Sequence, residues 1–232
     1  MQPSLPLIHC IDWETIDYQK AWEKQEQLFA EKLQKKMDGM LPDNDFILCQ
    51  HPPVYTIGRH GKTDNMLLSS EQLAQLGATL IRVDRGGDIT FHGLGQWTGY
   101  PIFDLEQFHL GLKNYIFLLE QLIINVLHKY GIKGERLAGA TGVWIEPNTL
   151  YARKICAIGV RASRFVTMHG FALNVNTDLS YFTHINPCGF TDKAVTSMQK
   201  ELSCTVDMLQ VRNDLFDEAV KCFAEPLIYM KE

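Results

Sequence analysis

One cysteine of this sequence stands where a nucleophile would be expected. Cys188 lies in NPCGF, where Pro187 before it and Gly189 after it keep it out of a regular helix or strand. Reactive groups often lie in loops that a rigid scaffold holds in place, and a cysteine reacts as its thiolate. Cys188 is therefore a candidate nucleophile, and the alternative is a cysteine with only a structural role.

A lysine could act as its partner. Lys154 lies in RKICAIG, an alternating apolar stretch that predicts a strand. One interpretation is an exposed strand position. The other is a partly buried lysine beside an acidic group, whose pKa falls so that the amine can accept a proton.

A glycine-rich stretch, RGGDITFHGLGQWTG at 85–99, is the third candidate. It is not a P-loop, since no Gly-Lys-Ser/Thr follows. It is not the dinucleotide fingerprint either, because Gly93, Gly95 and Gly99 are spaced one residue too long. Two interpretations stay open: tight turns between strands, or a backbone that approaches a ligand closely, with Arg85 and His92 as donors.

The other cysteines and the histidines predict no metal site. No two cysteines form a CxxC pair, and no histidine stands in an HExxH pattern. Cys49 and Cys156 lie inside predicted strands, where a thiol is usually a small packed group. Scattered cysteines of this kind indicate a reducing compartment.

The pattern of apolar residues indicates helices and strands in irregular order. Helices are predicted at 17–37, 71–77, 113–130 and 206–223, and strands at 45–50, 79–85, 100–105, 141–146, 153–163 and 168–178. The helix at 113–130 has a continuous apolar stripe and should end at Gly131. Because strict βαβ alternation is absent, we expect an α/β (α+β) fold with a mixed sheet flanked by helices. A single domain is predicted over residues 1–232, with its motifs between about 45 and 200.

Composition excludes several classes of function. The chain of 232 residues is 46% hydrophobic with a formal net charge of −5, so no basic surface indicates nucleic acid. No apolar run is long enough to cross a membrane. The early acidic residues and a first arginine only at Arg59 argue against a mitochondrial transit peptide. A cytoplasmic protein is expected.

Five motifs together resemble one family. They are HPPVYTIGR (51–59), RGGDITFHGLGQWTGYPIFDL (85–105), KICAIGVR (154–161), HGFALNVNTDL (169–179) and INPCGF (185–190). In this order they are similar to those of the lipoyl(octanoyl) transferases. The chain departs from the family pattern at Asp88, where Gln is common, and in GLGQW, where GPGQL is common.

The resemblance implies a fold, an activity and a set of site residues. The fold would be that of the biotin/lipoyl protein ligase catalytic domains. The octanoyl donor would be octanoyl-acyl carrier protein, with Cys188 as the thioester-forming nucleophile and Lys154 as the residue that lowers its pKa. The substrate-binding residues would be Arg85, Gly86, Gly87, Asp88, Ile89, Thr90, Phe91, His92, Ala157, Ile158, Gly159, Gly170, Phe171 and Ala172.

The resemblance also implies partners. The acceptors would be lysines of the lipoyl domains of 2-oxoacid dehydrogenases and of the glycine-cleavage H protein, in the first step of endogenous protein lipoylation. No cofactor is expected, since an amide is more stable than a thioester and the transfer needs no ATP. We expect a monomer. Any basic surface for an acidic acceptor should be local, around Arg153, Arg161 and Arg164.

Three other functions are compatible with parts of the pattern. An ATP-dependent lipoate–protein ligase would use a lysine without a cysteine nucleophile. An amidotransferase would use the cysteine but take octanoyl from another protein. A non-catalytic acyl-binding module would form no acyl-enzyme. The cysteine in NPCGF argues against the first, and the presence of both Cys188 and Lys154 argues against the last.

Overall fold

Helices and strands follow one another in irregular order. The computed structural model describes residues 6–186 and 194–224, so Cys188 lies outside the described residues. The helices are α1 (Tyr18–Met37), α2 (Ser70–Gln75), α3 (Leu112–Lys129), α4 (Met198–Leu202) and α5 (Met208–Ala224). The strands are β1 (Ile8–Thr15), β2 (Asn44–Gln50), β3 (Val54–Ile57), β4 (Thr79–Arg82), β5 (Ile89–His92), β6 (Gln96–Ile102), β7 (Glu135–Leu137), β8 (Ala140–Ile145), β9 (Arg153–Ser163), β10 (Val166–Asn174) and β11 (Ala194–Val195).

The larger sheet has the order β1-β2-β6-β10-β9-β8-β7, and β11 pairs with β9. Strands β1 and β2 run parallel, as do β11 and β9, while the other neighbours are antiparallel. The predicted mixed sheet is therefore confirmed. The longest pairing joins β9 to β10, the two strands that carry the KICAIGVR and HGFALNV motifs.

Helices cover both faces of this sheet, which explains why the middle of β2, residues 46–49, is apolar at every position. Phe46 and Leu48 belong to the core that α3 and α5 complete. Ile47 and Cys49 point the other way and pack with Ala21 of α1. Because successive side chains of a strand alternate between faces, a strand covered on both sides needs apolar residues at nearly every position.

A smaller sheet holds part of the glycine-rich stretch. Strand β3 pairs parallel with β4 and antiparallel with β5. Its apolar side chains, among them Tyr55 and Phe91, form a second core with Ile185. This core joins the segment after Arg85 to the chain that leads into residues 187–193.

The predicted elements agree with the structure in most places. The helix predicted at 113–130 is α3, and Gly131, with φ of 74°, follows it. The helix predicted at 206–223 is α5. Strand β1 was not predicted. The stretch 85–99 contains β5 and the start of β6, so the prediction that strand structure resumes only at Tyr100 was wrong.

No helix in residues 6–186 and 194–224 combines the length and apolar character needed to span a membrane. The single-domain organisation over 1–232 stays a prediction.

Candidate active site

A cavity of about 300 Å³ lies where β8, β9 and β10 meet the glycine-rich stretch. Thirteen of the residues predicted from the sequence line it: Arg85, Gly87, Asp88, Ile89, Thr90, His92, Lys154, Ala157, Ile158, Gly159, Gly170, Phe171 and Ala172. Gly86 and Phe91 do not line it. Gly86 donates its amide to Val160, and the Phe91 ring stacks on Tyr181 at 4.4 Å in the second core. The structure thus brings residues from three separate motifs onto one wall, and their roles in binding stay predictions.

Lys154 lies half-buried on the wall of this cavity. Its Nζ donates to the carbonyl oxygen of Thr141 at 3.3 Å and lies 4.6 Å from the centre of the Trp144 ring. Trp144 is a fully buried side chain, so it gives the amine a rigid support. These two contacts orient the amine at the cavity.

Described residues on both sides of 187–193, the segment that contains Cys188, lie at the same cavity. On one side, the amide of Asn186 donates to the carbonyl oxygen of Asn65 at 2.9 Å, and Ile185 lines the cavity. On the other side, Ala194 and Val195 line the cavity as β11. The chain on each side of this segment therefore reaches the cavity that Lys154 lines.

Arg85 braces the backbone that forms the cavity. Its guanidinium donates to the carbonyl oxygen of Thr56 at 2.7 Å, to the Thr56 hydroxyl and to the carbonyl oxygen of Gly86 at 3.0 Å. The residue is only 8% exposed. We predicted from the sequence that Arg85 could donate to a ligand; the structure shows these donors holding the cavity wall.

Glycine is needed at position 159 because two backbones touch there. A Cβ on Gly159 would lie 2.6 Å from the carbonyl oxygen of Gly86. Gly86 also bonds to Val160, so the glycine-rich stretch is tied directly to β9. The sequence left two interpretations of the glycines open: tight turns, or a backbone that approaches a ligand. The structure shows a close approach at Gly159, but between two segments of the chain itself.

Asp88 links the cavity wall to the segment before Cys188. Its carboxylate accepts from the amide of Ile89 and from the Asn65 side chain, both at 2.7 Å. Asn65 in turn accepts from Asn186 through its backbone. Sequence reasoning missed Asn65, because an asparagine in a loop has no distinctive pattern.

A neutral polar cluster, which we call the polar floor, consists of Tyr18, His51, His92 and Tyr100. The rings of Tyr18 and His92 stack at 5.4 Å, and His51 Nε2 lies 2.6 Å from the Tyr100 hydroxyl. Tyr18, His92 and Tyr100 line the cavity. Of the four, sequence reasoning singled out His92 alone.

Burial keeps the polar floor uncharged. It lowers the pKa of His51 to about 4 and that of His92 well below its ordinary value. It raises the pKa of Tyr18 to about 12. At neutral pH all these groups are therefore neutral hydrogen-bonding groups.

The polar floor and Lys154 contribute to the same cavity. His92 lies 2.9 Å from the side-chain oxygen of Gln96, which also lines the cavity, and the Gln96 amide donates to Asn174 at 2.8 Å. The cavity lining thus combines an amine with neutral polar groups.

The arginines expected to form a basic surface are largely neutralised. Arg153 pairs with Glu201 at 2.6 Å and with Glu146 at 2.5 Å. Arg161 pairs with Asp84. The expectation of a basic surface at these positions is therefore wrong for Arg153 and Arg161.

The described cysteines give no alternative nucleophile at the cavity. Cys49, Cys156 and Cys222 are buried, as predicted for the first two, while Cys10 and Cys204 are exposed. Burial raises the pKa of Cys49 to about 12 and that of Cys156 as well, so both stay thiols. No cluster of three His, Cys, Asp or Glu residues suited to a metal occurs in the part of the chain that the structure describes.

Comparison with known proteins places the chain in a family. The model of the lipoyl protein ligase A/B catalytic domain matches residues 17–220. The chain belongs to this family. It is 56% identical over 204 residues to a protein named octanoyltransferase from Bacteroides fragilis, with 88% of this chain and 92% of that protein covered. An octanoyltransferase from Bacteroides thetaiotaomicron is 55% identical over 205 residues, with 88% and 90% covered.

The predicted family and enzyme class, an octanoyltransferase, are confirmed by these relatives. The fold is similar to that of a structure of a bipartite lipoate protein ligase and its E2 lipoyl domain from Thermoplasma acidophilum. The TM-score is 0.69 at 14% identity, with 93% of this chain and 83% of that chain covered. The predicted fold class of the biotin/lipoyl protein ligase catalytic domains is confirmed by the family match and this likeness.

Proposed function

We propose that the protein transfers an octanoyl group from octanoyl-acyl carrier protein to a specific lysine of lipoyl domains, through a thioester on Cys188. The observation that carries the proposal is the position of Lys154. It lines a cavity that Ile185 and Ala194, on either side of 187–193, also line. Cys188 is three residues from Ile185, and three residues of chain span at most about 11 Å, so we infer that its thiol lies at this cavity.

In the first step, the thiolate of Cys188 attacks the carbonyl carbon of the octanoyl thioester. A new carbon–sulfur bond forms, the bond to the carrier sulfur breaks, and the carrier leaves as a thiol. A free cysteine has a pKa of about 8.5, so little of it is ionised at neutral pH. Lys154 takes the thiol proton and passes it to the leaving sulfur.

In the second step, the amine of the acceptor lysine attacks the thioester on Cys188. The amide bond forms and the bond from the carbonyl carbon to the Cys188 sulfur breaks. Lys154 takes the proton that the amine loses and passes it to the Cys188 sulfur, which regenerates the thiol. The amide is more stable than the thioester, so the reaction proceeds without ATP. Backbone amides that stabilise the oxyanion would lower the barrier further.

The cavity suits an unbranched acyl chain. Ile158, Phe171 and Ile185 give it apolar walls. Its lining follows β9 from Lys154 to Gly159, a stretch of strand of roughly 17 Å, along which an extended eight-carbon chain fits. We assign the substrate-binding role to the twelve predicted substrate-binding residues that line it, with Gly86 as a support for Gly159.

The proposal includes the acceptors and the setting. The acceptors are the lipoyl domains of 2-oxoacid dehydrogenases and the glycine-cleavage H protein, and the reaction is the first step of endogenous protein lipoylation. A monomer in the cytoplasm stays a prediction.

The choice of donor tests the proposal. The protein is mixed with an apo-lipoyl domain and either octanoyl-acyl carrier protein without ATP, or free octanoate with ATP. We expect the octanoylated domain only in the first mixture. Product from octanoate and ATP would indicate a ligase, and a preference for octanoylated H protein as donor would indicate an amidotransferase.

A further inference from the structure

Three exposed cations gather on the loop that follows β3. Arg59 and Lys62 belong to this loop, and Arg82, at the end of β4, donates to the carbonyl oxygen of Gly61 at 3.4 Å and to the Thr63 hydroxyl at 3.2 Å. In the pairing of β3 with β4, Arg82 lies opposite Ile57. We call Arg59, Lys62 and Arg82 the basic corner.

The basic corner keeps its charge. None of its three side chains has a carboxylate within 4.0 Å in the described parts of the chain, whereas other arginines, such as Arg153 and Arg161, are paired. Three carboxylates lie nearby. Asp64 is exposed in the same loop, Asp84 is bound to Arg161 and His169, and Asp88 is buried and bound to Asn65. In a chain with net charge −5, an exposed cluster of this kind is a local exception.

This loop is also part of the edge of the cavity. The amide of Arg59 donates to the carbonyl oxygen of Arg85 at 3.0 Å, and that of His60 to Gly87 at 3.2 Å. A Cβ on Gly61 would lie 2.7 Å from the Asp88 carboxylate. Since Gly87 and Asp88 line the cavity, a partner bound at the basic corner would lie beside its entrance.

We propose that the basic corner docks the octanoyl donor, a protein with an acidic surface that carries the acyl group on a phosphate-linked arm. This inference rests on the proposed function. The arm phosphate and surface carboxylates complement three exposed cations, and guanidinium groups match phosphate oxygens geometrically. Electrostatic docking gives fast association without a large apolar interface, which suits a donor that must leave after every transfer.

The acceptor, although we expect it to be acidic, fits the basic corner less well, because it carries no phosphate-linked arm. Its reacting group is a lysine amine, which is itself a cation before it loses a proton. Three cations beside the cavity entrance would oppose the approach of that group, whereas they favour an anionic arm. The donor is therefore the partner that the charges favour.

The test is a charge reversal at exposed positions. Arg59→Glu with Lys62→Glu is compared with Lys20→Glu with Lys113→Glu, a pair of exposed lysines elsewhere. Both pairs take the formal net charge from −5 to −9. For octanoyl-acyl carrier protein at low salt, we expect the first pair to raise KM about tenfold or more with kcat nearly unchanged, and the second pair to have little effect.

A small donor separates docking from chemistry. Octanoyl-pantetheine has neither a protein surface nor a phosphate, so its kcat/KM should be the same in all variants. Added salt should raise the carrier KM of the wild type more than that of the basic-corner variant. Arg59→Gln with Lys62→Gln should give an intermediate KM, and equal thermal unfolding curves establish that all variants fold.

Two results would overturn the inference. One is an equal carrier KM in the basic-corner and control variants. The other is a rise in KM for the lipoyl-domain acceptor alone, which would assign the surface to the acceptor. If the wild type used neither octanoyl-acyl carrier protein nor octanoyl-pantetheine, the proposed function itself would fail, whatever the docking surface does.

Discussion

Val195 lies opposite Lys154 in the parallel pair of β11 with β9, and the amide of Thr196 donates to the Lys154 carbonyl oxygen at 2.9 Å. The chain that leaves residues 187–193 is thus bonded to the strand that carries the lysine. On the other side, Asn186 is bonded to Asn65. These bonds fix the described chain on both sides of 187–193. Ile185 and Val195 from these two sides line the cavity together with Lys154, which is 34 residues from Cys188 in the sequence.

Replacing Lys154 should slow formation of the acyl-enzyme. In Lys154→Ala we expect the single-turnover rate of thioester formation to fall about 100-fold or more, since a positioned proton acceptor is lost. Binding of octanoyl-acyl carrier protein should persist. Lys154→Arg is the matched control, because it keeps a cation that does not give up its proton. A Lys154→Arg rate close to wild type would contradict the role in proton transfer.

The polar floor should limit the length of the acyl chain. Tyr18 is 3% exposed, lines the cavity and stacks on His92. Tyr18→Ala should open space there and raise the rate with decanoyl donor relative to octanoyl donor. The measurement is the ratio of the two kcat/KM values. Tyr151→Ala, at a residue that is 75% exposed, is the control and should leave the ratio unchanged. If the ratio is unchanged in Tyr18→Ala, the polar floor does not limit the length of the acyl chain.

Stability should fall as the pH is lowered from 7 to 5, because of His51. Burial lowers its folded-state pKa from 6.5 to about 4, so the unfolded chain binds a proton in this range that the folded protein does not. The contribution is fully present above pH 6.5 and is lost as the pH falls towards 4. By pH 5 the loss is about 2 kcal/mol in the free energy of unfolding.

Urea unfolding at the two pH values measures this effect. His51→Gln should lower stability at pH 7 and show a smaller decrease between pH 7 and pH 5 than the wild type. Part of the decrease in stability should remain in His51→Gln, because burial also lowers the pKa values of His92 and His169. His128→Gln, at an exposed position, should follow the wild-type curve. If stability falls by the same amount in His51→Gln as in the wild type, His51 is not the source of the pH dependence.

Gly159 should not tolerate a side chain. In Gly159→Ala the new methyl group would meet the backbone oxygen of Gly86, so the glycine-rich stretch and β9 must separate. We expect a loss of about 1–3 kcal/mol in the free energy of unfolding and a larger KM for the octanoyl donor. Gly111→Ala is the control, since a Cβ there has no atom within 4 Å. Wild-type stability and KM in Gly159→Ala would show that this contact is not needed.

Local patterns were sufficient to predict much of the fold. The apolar stripe of α3 and the alternation in β9 depend on neighbouring residues, and both were predicted within one residue. Strand β1 was missed because it is an edge strand with exposed and half-buried positions in no clear alternation. Its place in the sheet comes from parallel pairing with β2, across the whole of α1.

The site was predictable where a motif carried it. Lys154 and the glycines of 85–99 were found in this way. Tyr18 and His51 were not, because their place in the polar floor depends on contacts with His92 and Tyr100, which are distant in the sequence. The basic surface was predicted at the wrong arginines for a similar reason: the sequence does not show that Arg153 meets Glu201, which is 48 residues away.

The most direct test of the account is intact-mass spectrometry after the protein is mixed with octanoyl-acyl carrier protein without an acceptor, followed by peptide mapping. We predict one octanoyl adduct, on Cys188, that disappears when a lipoyl domain is added. The adduct should be absent in Cys188→Ser and present in Cys204→Ser, which removes an exposed cysteine. An adduct on another residue, or substantial transfer to the lipoyl domain by Cys188→Ser, would contradict the account.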